Sequence, residues 1–180
     1  MKVLRWTIIV LASILIIWMA AAALISGDCV YEKSITINAP AEKVWRHTNT
    51  LKAMDQWSPW NDIDPGMKKN WTGTTGQPGE KLCWASEKDE AGKGCQEIKK
   101  IDAAGKRIDT DIQFLAPYKR EAGSYVKIVQ EGNGSKVTWG FTSKIPFPFT
   151  VMKVFMNMEN AIGKDYQKGL LRLKDLSEKP

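Results

Sequence analysis

Histidine is almost absent from this chain: His47 is the only one among 180 residues. A histidine-rich metal centre is therefore excluded, and a catalytic His47 would need an orienting acid such as Asp55 or Asp62 brought close by the fold. Cysteine is scarce as well. Cys29, Cys83 and Cys95 lack the short paired spacing of a zinc site, and strand positions supply neither a base nor a helix N-terminus to activate a thiol. Ser58 has no G-x-S-x-G setting. The glycines at 73, 76 and 79 precede a strand rather than a helix, so they read as hairpin turns and not as a phosphate cradle. Basic residues are scattered among acids and do not interleave with aromatics, which argues against nucleic acid. No catalytic constellation, metal site or cofactor motif is expected, and there are no internal repeats or low-complexity tracts.

Charge is missing from one long stretch. From Trp6 to Ile25 only Thr7 and Ser13 are polar. Twenty residues at about 1.5 Å each span about 30 Å, the thickness of a bilayer hydrocarbon core. A signal-peptide core is usually about 7–15 residues, and a buried core helix would normally show a polar face. The small residues Ala20 to Ala23 do offer a cleavage site, which keeps a signal peptide as an alternative. Asp28 directly before Cys29 departs from the small-residue pattern of a lipoprotein. We read an uncleaved anchor, residues 1–27, contacting the bilayer through residues 6–25. Lys2 and Arg5 lie on one flank and Asp28, Glu32 and Lys33 on the other. The positive flank stays cytoplasmic, so residues 28–180 are expected in the periplasm or outside the cell. The net charge is +6, of which Lys2 and Arg5 supply two, and the +4 left on the domain favours an anionic membrane surface weakly.

Beyond the anchor, residues 30–38 alternate and are β-rich, and Asn38-Ala39-Pro40 breaks them. Pro40 suits the first turn of a short helix over A-E-K-V-W-R-H, and a second covers Leu51 to Gln56. From Met67 onward, glycine-containing turns punctuate short runs: 67–73, 80–87, 93–102, 106–115, 119–131 and 136–145. Six strands on short loops describe an antiparallel meander. Ile108, Thr110, Ile112 and Phe114 alternate with Asp109, Asp111 and Gln113, so one face is buried and the acids face solvent. After Pro146 and Pro148 the period changes. Val151, Phe155, Met158, Ile162, Tyr166, Leu170, Leu173 and Leu176 predict one long amphipathic helix over 150–176. Gly163 and Gly169 weaken it but would let it approach the sheet closely.

The order implies an α+β domain in which a curved antiparallel sheet of about seven strands wraps a C-terminal helix. Such packing leaves a concave apolar space, the default site for a hydrophobic ligand. Cys83 and Cys95 flank a hairpin turn at an even separation, so they share a sheet face if no bulge intervenes. A disulfide and two separate thiols are both compatible with that spacing. Six of the eight tryptophans lie beyond the anchor. Trp45 and Trp57 read first as core filling; Trp57 and Trp60, around Ser58-Pro59, read alternatively as a rigid lip on the cavity. Phe147-Pro148-Phe149 could close that cavity or enter the membrane interface.

Several phrases carry a resemblance: S-I-T-I-N-A-P-A-E-K-V-W (34–45), D-Q-W-S-P-W (55–60), G-T-T-G-Q-P-G-E-K-L-C-W (73–84), G-K-G-C-Q-E-I (92–98), V-T-W (137–139) and I-G-K-D-Y-Q-K-G-L-L-R-L-K (162–174). In this order they resemble the START-like helix-grip superfamily, in particular its polyketide cyclase/dehydrase (SRPBCC) branch, over nearly all of residues 30–176. The resemblance implies the helix-grip fold and a cavity for lipids or other hydrophobic molecules, but no single reaction. The expected cavity or lip residues are Trp57, Trp60, Trp84, Phe114, Trp139, Phe147, Phe149 and Phe155. The resulting expectation is a membrane-anchored domain binding a hydrophobic small molecule. A cyclase- or hydrolase-type enzyme using the same cavity and a non-catalytic envelope interaction protein are the alternatives. Oligomeric state leaves no mark in the sequence.

Overall fold

Alternation along the central strands produces the sheet that the sequence implies. In the computed structural model, which describes residues 2–155 and 157–179, seven strands form one sheet in the order β1-β7-β6-β5-β4-β3-β2. They are β1 (Asp28–Ile37), β2 (Lys68–Thr72), β3 (Lys81–Ala85), β4 (Lys93–Asp102), β5 (Arg107–Ala116), β6 (Arg120–Glu131) and β7 (Gly134–Lys144). The meander runs from β2 to β7, and β1 returns beside β7. Register shifts at Lys93/Gly94 and Ile98/Lys100 bend β4, as extra residues in one strand do, and the sheet is curved. Gly73, at φ 81°, occupies the left-handed region, and its absent Cβ would sit 2.3 Å from the Gly79 carbonyl oxygen. The β2–β3 loop can be this tight only with glycine there.

The chain separates into two compact units, Met1–Cys29 with Ser143–Asn157, and Val30–Thr142 with Met158–Pro180. In the first, α1 (Lys2–Leu24) is accompanied by a 3-10 segment, Phe149–Phe155. Among the described residues, Val3–Leu24 is the one helix long and apolar enough to cross a membrane; a signal sequence satisfies the same test. The boundary read at 27/28 falls just past the helix, and residues 143–157 group with that helix.

In the second unit, two short helices, α2 (Ala41–Trp45) and α3 (Leu51–Asp55), and a 3-10 turn, Pro59–Asp62, precede the meander. Thr50 caps α3 by accepting from the Ala53 amide. The helix packed against the sheet is α4 (Lys164–Glu178), and its Tyr166, Leu170 and Leu173 are buried with Ile37, Val44, Ile98, Ile108, Val126 and Val137 in one core. Each such side chain contributes roughly 1.5–3 kcal/mol by leaving water.

The single long helix expected over 150–176 is not formed. Residues 149–155 are 3-10, a π-turn spans Glu159–Gly163, and only then does α4 begin. At Gly163 the missing Cβ leaves room for the Glu159 carboxylate, which lies 2.5 Å from where that carbon would be. Glu159 thereby bonds Lys33 at 2.6 Å and Tyr31, both on β1. These contacts and the cost of glycine in a helix, about 1 kcal/mol, outweigh the continuous stripe.

Candidate functional site

The inner face of the sheet is mostly apolar, interrupted by Gln96, Thr110 and Ser124. Facing it are α3, the 3-10 turn and α4. Between these elements lies a cavity of about 230 Å³ whose walls include Leu51, Met54, Trp57, Trp60, Leu82, Ile112, Phe114, Trp139, Phe141, Ile162 and Tyr166. A second pocket of about 180 Å³ adjoins it, sharing Asp55, Ser58, Trp60, Leu82, Gln96, Ile112 and Phe114 and adding Trp84, Asn61, Met67, Lys69 and Pro117.

Aromatic rings build the main wall. Trp139 and Tyr166 are stacked with centroids 4.0 Å apart and planes at 17°. Trp57 and Trp60 meet Trp139 edge-on at 4.8 and 5.7 Å, and Tyr31 meets Tyr166 at 5.5 Å. Edge-to-face and offset arrangements are what the ring quadrupoles favour. The stack depends on Gly169, where a Cβ would lie 2.7 Å from the Trp139 ring. The indole N–H groups are used elsewhere: Trp57 donates to the His47 carbonyl at 2.8 Å, Trp139 to Ser124 Oγ at 3.0 Å, and Trp84 to the Ala91 carbonyl at 3.0 Å.

One wall is polar. Lys69 Nζ donates to Asp55 at 2.7 and 2.8 Å and to Asn61 Oδ1 at 2.8 Å, while Asn61 Nδ2 donates to the Asp55 carbonyl at 2.7 Å. Lys69 and Asp55 are each 21% exposed, so the pair is shielded but reachable from the pocket. Gln96 is tied to Thr110 at 2.9 Å. Burial pushes the Tyr166 phenol well above its ordinary range, with the neighbouring Ser124 hydroxyl opposing it; it stays protonated at any physiological pH.

Charge pairs hold these elements together. Asp62 bonds Lys168 and Arg172 of α4, each at 2.5 Å, and Arg172 also donates to the Ser58 carbonyl at 3.2 Å. The 3-10 turn carrying Trp60 is thus fastened to α4. Hydrogen bonds from Lys168 and then Arg172 hold the Asp62 carboxyl below its ordinary value. Glu80 is buried and accepts from the Leu51 amide at 3.1 Å and the Gly76 amide at 2.6 Å, positioning α3 and so Asp55.

The structure brings Trp57, Trp60, Phe114 and Trp139 together on the cavity wall and places Trp84 in the adjoining pocket, edge-on to Phe114 at 6.2 Å. Trp57 is only 1% exposed; it is a buried wall, whereas Trp60 is half-buried. Phe147, Phe149 and Phe155 line neither pocket; they belong to the unit containing α1 and are exposed. Cys83 and Cys95 are directly paired across β3 and β4 and form a disulfide. His47 is half-buried, and burial followed by Lys43 lowers its pKa. Asp55 and Asp62, the acids it would need, are engaged with Lys69 and with Lys168 and Arg172. Ile162 and Tyr166 were legible only as members of a helical stripe. Ser124, Gln96 and the Asp55–Lys69–Asn61 group carry no local signal.

Residues 28–178 match the model of a family described as polyketide cyclase/dehydrase and lipid transport. No curated protein matches the chain. Among solved structures it is similar to Ara h 8.0201 at TM-score 0.56 and 16% identity, covering 84% of this chain and 96% of that one. A Chromobacterium violaceum protein gives TM-score 0.58 and 17% identity, covering 84% and 98%. A norcoclaurine synthase point mutant from Thalictrum flavum, in complex with a transition-state analogue, gives 0.58 and 11%, covering 83% and 97%. At these identities the likeness is one of fold.

Proposed function

The chain belongs to the polyketide cyclase/dehydrase and lipid-transport family, and on that premise we propose that it is a membrane-tethered domain holding a small hydrophobic molecule between the sheet and α4. The cavity carries this reading: most of its wall is aromatic and aliphatic, with Asp55, Ser58, Gln96 and Ser124 as polar members. The cavity of about 230 Å³ and the adjoining pocket of about 180 Å³ suit a compact ligand, or an acyl segment running from one into the other.

The tether is supported by the uncharged run from Trp6 to Ile25 and by Ala22. Ala22 is 2% exposed, and its carbonyl accepts from the buried Thr150 hydroxyl at 2.6 Å. Cleavage after Ala22 or Ala23 would strip Thr150 of that acceptor, so a helix retained through Ala22 fits better than one removed there. Placement outside the cytoplasm is supported by Lys2 and Arg5 at the N-terminal flank and by the Cys83–Cys95 bridge, which suits an oxidising compartment.

A second reading is an enzyme of the same cavity, favoured by the Asp55–Lys69–Asn61 group, of which Asp55 lines both pockets and Lys69 and Asn61 line the adjoining one. Convergent polar groups with titratable members beside an apolar site are the minimum for acid–base work. Native mass spectrometry of the full chain, followed by solvent extraction, tests the binding reading. A stoichiometric hydrophobic species is expected. An empty protein that also takes up no hydrophobic probe would remove it.

A further inference from the structure

The stretch 145–155 carries one charge, Lys153, in eleven residues, yet its apolar side chains are not buried. Phe147, Phe149, Met152, Val154 and Phe155 are all exposed, Phe155 to 82%. Its polar groups, by contrast, are turned onto the C-terminal end of α1 within the same compact unit. Trp18 Nε1 donates to the Pro148 carbonyl at 3.0 Å, and Thr150 Oγ1 donates to the Ala22 carbonyl at 2.6 Å. The Ile145 amide donates to the Gly27 carbonyl at 2.9 Å. Gly27 permits that approach, since a Cβ there would sit 2.2 Å from the Ile145 oxygen.

These contacts fix a depth. With Trp6 at one boundary of the hydrocarbon core, a rise of about 1.5 Å per residue puts Trp18 about 18 Å in and Ala22 about 24 Å in. The far boundary, at about 30 Å, lies near Ile25. Pro148 and Thr150, bonded to Trp18 and Ala22, must then lie at hydrocarbon depth. If Trp18 instead marks the interface, as tryptophans often do, the segment lies in the headgroup boundary. It meets lipid in either case.

The segment is built for that environment. Pro146 and Pro148 carry no N–H to leave unsatisfied, the Pro146 carbonyl accepts from the Phe149 amide at 2.9 Å, and residues 149–155 are helical. Backbone polar groups in lipid must be satisfied internally. Lys153 does not stay at depth: its Nζ reaches back to the Ser26 carbonyl at 3.2 Å and the Asp28 carbonyl at 2.6 Å, the snorkelling expected of a lysine near a membrane surface.

We propose that residues 147–155 are a second membrane-embedded element, a short helical segment seated in the leaflet that the C-terminal end of α1 reaches, with Phe147, Phe149, Met152, Val154 and Phe155 against lipid. This rests on α1 being a retained anchor. The full chain, with buried Cys29 replaced by Ala, is reconstituted in phosphatidylcholine/phosphatidylglycerol vesicles. An NBD fluorophore is placed on a single new cysteine at Ile14, Phe149, Phe155 or Asn133, and nitroxide lipids are the quencher. Quenching at 149 and 155 should approach that at 14 and exceed that at 133 several-fold. Strong quenching at 14 with 149 and 155 as wet as 133 overturns the proposal and leaves the anchor standing. A wet position 14 removes the anchor and the proposal together. Blue-shifted but unquenched emission at 149 and 155 means protein covers the face, and also overturns it.

Discussion

The indole of Trp139 on β7 lies flat against the phenol ring of Tyr166 on α4, 4.0 Å between centroids. The contact joins sheet to helix directly across the cavity wall. It exists because Gly169, on the same helix, presents no side chain to the indole. Gly169→Ala should therefore be destabilising, although alanine is the better helix former by about 1 kcal/mol. The new carbon must displace a packed ring, and overpacking of this kind costs roughly 1–3 kcal/mol. Urea unfolding measures the loss, and near-ultraviolet circular dichroism should register the changed stack.

Acid should loosen the α4 clamp. Lys168 and Arg172 depress the Asp62 carboxyl below its ordinary 3.8. A depressed folded pKa contributes stability above the unfolded value, lost as pH falls through the folded one. The Asp62 contribution is thus present at neutral pH and disappears below about pH 4. Asp62→Asn should be the less stable chain at pH 7 and should approach the parent chain as pH falls below 4. Chemical denaturation at a series of pH values reads the convergence.

The bridge between Cys83 and Cys95, twelve residues apart, restricts the unfolded chain. For a loop of that length the entropy model gives about 3 kcal/mol. Replacing both by alanine should lower the unfolding free energy by about 2–4 kcal/mol, measured by denaturation without reductant. The parent chain in dithiothreitol should fall to a similar value.

Lys69 and Asp55 are mutually dependent. Lys69→Met leaves a shielded carboxylate without its cation, whereas Lys69→Met combined with Asp55→Asn leaves no charge. Removing one partner of a well-buried pair costs about 3–5 kcal/mol, and residual solvent access reduces this to roughly 1–3 kcal/mol. The double variant should be more stable than the Lys69 single variant, and a double-mutant cycle gives the coupling. If the cavity also catalyses, both variants lose turnover while hydrophobic binding persists.

Sheet and turns were legible because they are local. Ile108, Ile112 and Phe114 alternate with Asp109, Asp111 and Gln113, and glycine, or Pro117 between β5 and β6, marks the reversals. The split of the C-terminal helix was not, since it depends on Glu159 finding Tyr31 and Lys33, more than a hundred residues away. Trp57, Trp60 and Trp139 stand out by size alone. Size says that a ring leaves water, not where it goes: Phe147, Phe149 and Phe155 have the same character and lie instead with α1. Asp55, Asn61 and Lys69 come from α3, a 3-10 turn and β2, and Glu80 is buried by two backbone amides. Only the assembled fold creates those partnerships.

Ile112 lines both pockets, while Asp62, Lys168 and Arg172 line neither, so a larger residue there fills the space and leaves the clamp in place. The decisive measurement compares solvent extracts of the folded parent chain and of Ile112→Trp by mass spectrometry. A hydrophobic species near one per chain in the parent and at least tenfold depleted in the variant is expected. Equal amounts in both, or none in either, would contradict a cavity-bound ligand.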